Sequence, residues 1–167
     1  QGPVLDKEDI QIGLVEGVQG ISWTELALSG QSNHAGTTPM SLRRDPMRVA
    51  AEIVVAARSI ASEIGGSQVA TVGSLTLHPN LVNVIPANAT MTVDLRNMDE
   101  SSLQLAEEQL QLRVAAIAED EDVDVKSRSL ARFEPVEFDG RVVTQIEQLA
   151  KQRGLSTKRM PSGAGHD

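Results

Sequence analysis

The chain predicts an α+β fold built around a ferredoxin-like βαββαβ unit, a four-stranded antiparallel sheet with two helices on one face. Three observations predict it. Residues 89–96 alternate without a break, Ala89, Met91, Val93 and Leu95 against Thr90, Thr92, Asp94 and Arg96, which is the period of a strand with one buried face. Two other stretches, behind Asp45-Pro46 and behind Asp99, carry apolar residues at three- and four-residue spacing after a helix-capping signal. Strand-like runs flank both, so residues 21–130 read strand, helix, strand, strand, helix, strand.

Taken in order, residues 1–19 hold a short strand signal, Ile10-Gln11-Ile12-Gly13-Leu14-Val15, bounded by acidic residues and glycines. Residues 21–29 are β-rich and deliver the chain to a polar loop, 30–45. Asp45 suits an N-cap and Pro46 the first helical position, and Ala50, Ile53, Val54, Ala57, Ile60, Ala61 and Ile64 form one apolar stripe that Gly65-Gly66 ends. Residues 68–77 make a strand suited to a sheet edge, followed by the turn-like His78-Pro79-Asn80 and by Leu81-Val82-Asn83-Val84-Ile85-Pro86, where one Asn interrupts apolar neighbours. The alternation at 89–96 sets Arg96 at a strand end on the face away from the core. Asp99 then caps a helix with the stripe Leu103, Ala106, Leu110, Val114 and Ile117, and residues 123–130 close the unit.

Beyond Ala131 the texture changes. Phe133-Glu134-Pro135-Val136 reads as a linker, residues 141–152 as a helix with Val142, Val143, Ile146 and Leu149 inward, and residues 155–160 as a strand. The expected division is therefore 1–19, 20–131 and 132–167. An opening on Gln-Gly-Pro and a close on Ser162-Gly163-Ala164-Gly165-His166-Asp167 suggest a sequence cut from something longer.

Composition excludes several functions. Among 167 residues aromatics make up 2%, with one Trp and no Tyr, so the core must be aliphatic and base-stacking platforms are absent. A net charge of −8 argues against nucleic acid or an anionic membrane as partner. The acidic run Glu119-Asp120-Glu121-Asp122 with Asp124 reads as a solvated helix end. No run approaches the ~20 apolar residues of a membrane span. The lack of cysteine removes disulfides and thiolate metal sites and fits a cytoplasmic protein.

The candidate chemistry centres on Gly30-Gln31-Ser32-Asn33-His34-Ala35-Gly36-Thr37-Thr38-Pro39-Met40, with Arg43-Arg44-Asp45 behind it. His34 can hydrogen-bond nearby backbone, or it can serve as a catalytic group held between regular elements. Asn83 satisfies turn backbone or offers its amide to a ligand. Arg96 pairs with Asp94, or captures a substrate carboxylate with its planar guanidinium. With His166, these residues supply donors for a carboxylate and for a carbonyl oxygen that turns negative during hydrolysis. His78, before Pro79, reads as structural. The three histidines, His34, His78 and His166, do not have metal-ligand spacing.

The His34 motif, Val82-Asn83-Val84-Ile85-Pro86, Val93-Asp94-Leu95-Arg96 and Ser162 to Asp167 together resemble the amidase, hydantoinase and carbamoylase group of two-metal aminoacylase-type hydrolases. The similarity is greatest to N-carbamoyl-L-amino-acid amidohydrolases, with allantoate amidohydrolases close behind. It implies a catalytic domain holding two zinc or manganese ions and an inserted lid domain, residues 20–131 here, that forms a homodimer. It also implies that His34 stabilises an oxyanion, reaching the neighbouring subunit's site, that Asn83 and Arg96 bind the substrate, and that His166 lies near it. The family's metal ligands and general-base Glu would fall before Gln1 and after Asp167. This stretch is therefore expected to bind no metal and to be inactive alone. Carbamoyl amino acids, β-ureidopropionate and allantoate all remain candidate substrates, and a purely structural dimerisation module is the alternative from a different class.

Overall fold

Strand β6 (Asn88–Asn97) buries alternate residues, as its sequence requires: Ala89, Met91, Val93 and Leu95 are each at most 1% exposed. Around it the computed structural model, which describes residues 2–165, arranges β2 (Gly20–Ser29), β4 (Val69–His78) and β7 (Asp124–Phe133) in the order β4-β6-β2-β7. Every neighbouring pair in this sheet is antiparallel. Helices α2 (Pro46–Ile64) and α3 (Glu100–Asp120) cover one face. The expected α+β, ferredoxin-like arrangement is thus observed.

Its core is aliphatic. Val49, Ile53 and Ile60 of α2 and Leu103, Ala106 and Leu110 of α3 close over Leu26, Leu28, Met91 and Leu95. Both helices begin as the capping signals predict: Asp45 accepts from the Met47 N–H at 2.9 Å and Asp99 from the Ser102 N–H at 2.7 Å. The stripes shift slightly. Val49 and Ala56 are buried in α2, whereas Val54 is 39% exposed, and in α3 Ala118 rather than Ile117 completes the buried face. Each helix lies rotated on the sheet by the packing of whole side chains, which spacing alone does not fix.

At the start of β2 the buried Asn97 carboxamide donates to Gln68 Oε1 at 2.8 Å and accepts from the Ser67 hydroxyl at 2.8 Å and the Asp99 N–H at 3.0 Å. Gln19 reaches the Ser67 carbonyl at 3.4 Å, so the chain entering the sheet is tied to the start of β4. Satisfied in this way, a buried amide at the end of an apolar strand face costs little.

The flanking segments form a second, three-stranded sheet, β8-β1-β9, from β1 (Ile12–Val18), β8 (Val136–Glu137) and β9 (Thr157–Ser162). β9 is parallel to β1, and β8 antiparallel to it. A helix, α1 (Gly2–Lys7), precedes β1, and α4 (Gly140–Gln152) precedes β9. Several expectations are corrected here. The stretch 133–136 is not a plain linker, since β7 runs to Phe133 and Val136 pairs with Val18. α1 carries no periodic apolar signal to announce it, and β9 lies two residues later than expected. On α4 only Val143 and Ala150 are buried, while Val142, Ile146 and Leu149 are 44–54% exposed, because a three-stranded sheet offers the helix little surface.

Candidate functional site

The polar loop is pinched at its base. Gly30 donates to the Ala87 carbonyl at 2.8 Å and Gln31 to the Arg44 carbonyl at 2.9 Å, so both ends of the loop meet. A Cβ on Gly30 would sit 2.1 Å from that Arg44 oxygen, and only glycine fits. From this base β3 (Asn33–His34) pairs antiparallel with β5 (Val84–Ile85), His34 opposite Val84. The Ala35 N–H donates to the Asn83 carbonyl at 2.9 Å. His34 and Asn83, 49 positions apart by number (83 − 34), thus become neighbours on one small exposed ribbon.

The loop is braced from within. Arg43 donates to the Ala35 carbonyl at 2.7 Å and to the Thr38 carbonyl at 3.2 Å, and the Thr38 hydroxyl donates to the His34 carbonyl at 2.7 Å. The Gly36 N–H donates to His34 Nδ1 at 3.0 Å. A neutral imidazole accepting at Nδ1 carries its proton on Nε2, so His34 presents a hydrogen-bond donor. Arg44 holds the far side of the loop through ion pairs with Asp122 at 2.9 Å and Asp124 at 3.8 Å. The acidic run is thereby partly an anchor for this loop, and Arg48 pairs with Asp120 and Glu121 in the same cluster.

Arg96 lies on the outer face of the sheet, as its place in the alternation predicts. Its Nε and Nη2 grip the Asp94 carboxylate at 2.8–3.1 Å, and Nη1 donates to the Gly163 carbonyl. Hydrogen bonding to Asp94 raises the guanidinium's pKa further above its ordinary value, so it is charged at any physiological pH. The guanidinium also lies over the Trp23 ring, 5.8 Å from its centre. Asp94 occupies the Nε–Nη2 edge and the Gly163 carbonyl takes one N–H of Nη1, so Nη1 and Nη2 each keep one N–H for a second acceptor.

The sequence-predicted residues are not all gathered together. His34 and Asn83 share the ribbon beyond the Ser29 end of β2, whereas Arg96 pairs with Ile21 at the other end. At about 3.3 Å per residue, the span 21–29 separates them by about 26 Å. His78 ends β4, where its backbone carbonyl accepts from the Ala87 N–H at 2.8 Å. His166 lies outside the described residues. Among the described residues no group of three His, Asp or Glu side chains converges as a metal site.

Sequence reasoning passed over Trp23 and the bracing role of Arg43. The signal for the first was available, a lone Trp on the polar face of a strand. The second depends on the loop's tertiary path.

A family described as peptidase dimerisation domain matches residues 17–122. Over its full length the chain is 35% identical to an N-carbamoyl-L-amino acid amidohydrolase of Geobacillus stearothermophilus and 35% identical to an allantoate amidohydrolase of Escherichia coli K12, covering 41% of each. Among solved structures, an amidase of the hydantoinase/carbamoylase family from Burkholderia multivorans superposes with a TM-score of 0.96 at 36% identity, over 98% of this chain and 40% of that one. The chain therefore spans about 40% of the length of the relatives it matches.

Proposed function

Because the chain belongs to the peptidase dimerisation domain family, we propose that it is the lid, residues 20–131, with flanking catalytic-domain segments, of an amidohydrolase that cleaves the ureido C–N bond of N-carbamoyl-L-amino acids. Two lids pair so that each substrate site takes Arg96 from one subunit and His34 with Asn83 from the other. The observation that carries this reading is the distance between those groups within one chain: no small molecule bridges about 26 Å.

Pairing of edges removes the difficulty. β4 is an edge strand whose second side has no partner among the described residues. Its Val69 end lies opposite Arg96, and its His78 end lies beside the ribbon that carries His34. Antiparallel association of β4 with its twin about a two-fold axis sets the Val69 end of one lid against the His78 end of the other. Arg96 then faces the partner subunit's ribbon. Helix α2, which packs on β4, leaves Val54 and Val55 exposed for the same contact.

In this reading Arg96 binds the substrate carboxylate through Nη1 and Nη2, while Asp94 fixes the plane of the guanidinium. The His34 Nε2–H and the Asn83 amide stabilise the carbonyl oxygen as it gains negative charge. The family resemblance implies two zinc or manganese ions. The described residues do not fit them, since no donor set converges among them. The ions, the base and most of the catalytic domain belong to other parts of the polypeptide, and the chain alone is inactive. A cytoplasmic location goes with the cysteine-free composition, and among the described residues no helix is long and apolar enough to cross a membrane.

Subunit complementation tests the proposal. In the complete enzyme His34→Ala and Arg96→Ala each abolish most activity. Mixed and refolded together, they regain about a quarter of the wild-type rate, because half the dimers are hybrids with one intact site of two. No recovery in hybrids that do form would refute the cross-subunit site. Full activity in both single variants would leave a purely structural dimerisation module.

A further inference from the structure

We propose that a hollow over Trp23, beside Arg96, receives the amino-acid side chain of the substrate and selects apolar ones. This rests on the reading of Arg96 as the carboxylate contact and deepens it to a substrate class.

The hollow lies on the outer face of the four-stranded sheet, has a volume of about 240 Å³, and its exposed surface is nearly all apolar. Trp23, Val93 and Leu130 line it together with Thr71, Thr92 and Asp94, and Gly73 lines it without a side chain. Both edge strands are irregular at this level. Trp23 pairs with Ala131 and Thr24 with Ser129, leaving Leu130 as an extra residue in β7. Val72 pairs with Val93 and Ser74 with Thr92, leaving Gly73 extra in β4. Bulges re-aim side chains and are common beside binding sites. Here one brings Leu130 to the Trp23 side of the sheet, and the other leaves a residue without a side chain facing it. Trp23 is 40% and Leu130 43% exposed, so side by side they present an apolar surface that a ligand can cover.

Arg96 fixes what that is. Its guanidinium stands 5.8 Å from the indole centre, so a carboxylate on the fork brings the substituent of its α-carbon over the ring. An aliphatic or aromatic side chain is buried there. The second ureido group of allantoate would lose water against Trp23 and Leu130, with only Thr71, Thr92 and the Arg96-bound Asp94 to offer hydrogen bonds. N-carbamoylglycine, with no side chain, would leave the hollow empty.

The test compares kcat/KM of the complete metal-loaded enzyme for N-carbamoyl-L-leucine, N-carbamoylglycine and allantoate. The leucine derivative is favoured over the other two by about tenfold or more. Trp23→Ala lowers the leucine-to-glycine ratio about tenfold, and Trp23→Phe largely preserves it. Gly73→Leu fills the hollow and lowers the same ratio. A Cβ there meets nothing within 4 Å and the backbone is not in the left-handed region, so the fold accepts it. A ratio unmoved by Gly73→Leu and Trp23→Ala, or a preference for allantoate, overturns the inference. Arg96→Ala separates the two levels: if it lowers all substrates together while the ratio ignores Trp23 and Gly73, only the inference falls. If Arg96→Ala changes nothing, the carboxylate reading falls with it.

Discussion

The two ends of β2 hold their functional groups by different means. At the Ile21 end Arg96 stands on a central strand, fixed by the Asp94 carboxylate and stacked on Trp23. At the Ser29 end His34 stands on a ribbon held by backbone carbonyls, glycines and the Arg43 guanidinium. The strand end is rigid because sheet and core fix it; the ribbon is rigid only while its own hydrogen bonds persist. In the proposed site the first setting suits a charge that binds an anion, and the second suits a donor that reaches across to another subunit.

The sharpest way to break that comparison is Arg96→Ala in the complete enzyme. Loss of a charge-assisted fork, worth about 1.5–3 kcal/mol per hydrogen bond, should raise KM for carboxylate substrates about a hundredfold, measured by steady-state kinetics. Next comes Gly30→Ala. Its Cβ would meet the Arg44 carbonyl at 2.1 Å, so the loop base must open. The expected result is a fall in kcat of about tenfold with the circular dichroism spectrum of the sheet retained, because the damage is confined to the ribbon. An equal rise in KM instead would mean that the two ends are not separate.

Smaller effects probe the scaffold common to both. Asp99→Ala removes the α3 cap and should lower the midpoint of denaturant unfolding, without altering the ratio of activities on different substrates. Acid gives the mildest test. Asp99 is held below the usual carboxylate range by the Ser101 hydroxyl and the Ser102 N–H, and Glu100 by Arg132. A depressed folded pKa stabilises above the unfolded value, near 4, and is lost as pH falls through the folded value. The melting temperature should therefore stay level from neutral pH down to about pH 4 and decline below it, and less so in Asp99→Ala.

Much of this fold is legible in residue order because its signals are local. The alternation of β6 places Arg96 on the outer face, and the Asp45 and Asp99 caps mark where both lid helices start. The legible part of the candidate site is the identity of its groups: His34 stands in a run dense with polar residues and glycine, Asn83 interrupts apolar neighbours, and Arg96 ends an alternating strand. Other features are not legible in this way. α1 and the two-residue β8 are too short for one, and the exposed Val142, Ile146 and Leu149 follow a helical period that the neighbouring sheet does not cover.

Alone, the sequence determined the succession of strands and helices in the lid, the caps, the aliphatic core and the chemical kinds of group available, since each depends on composition or on neighbours a few positions away. Only tertiary structure decided that His34 and Asn83 meet while Arg96 stands at the far end of the sheet, and that two bulges hollow its outer face beside Trp23. Those outcomes depend on register between strands distant in the chain, where a shift of one residue turns every side chain to the opposite face.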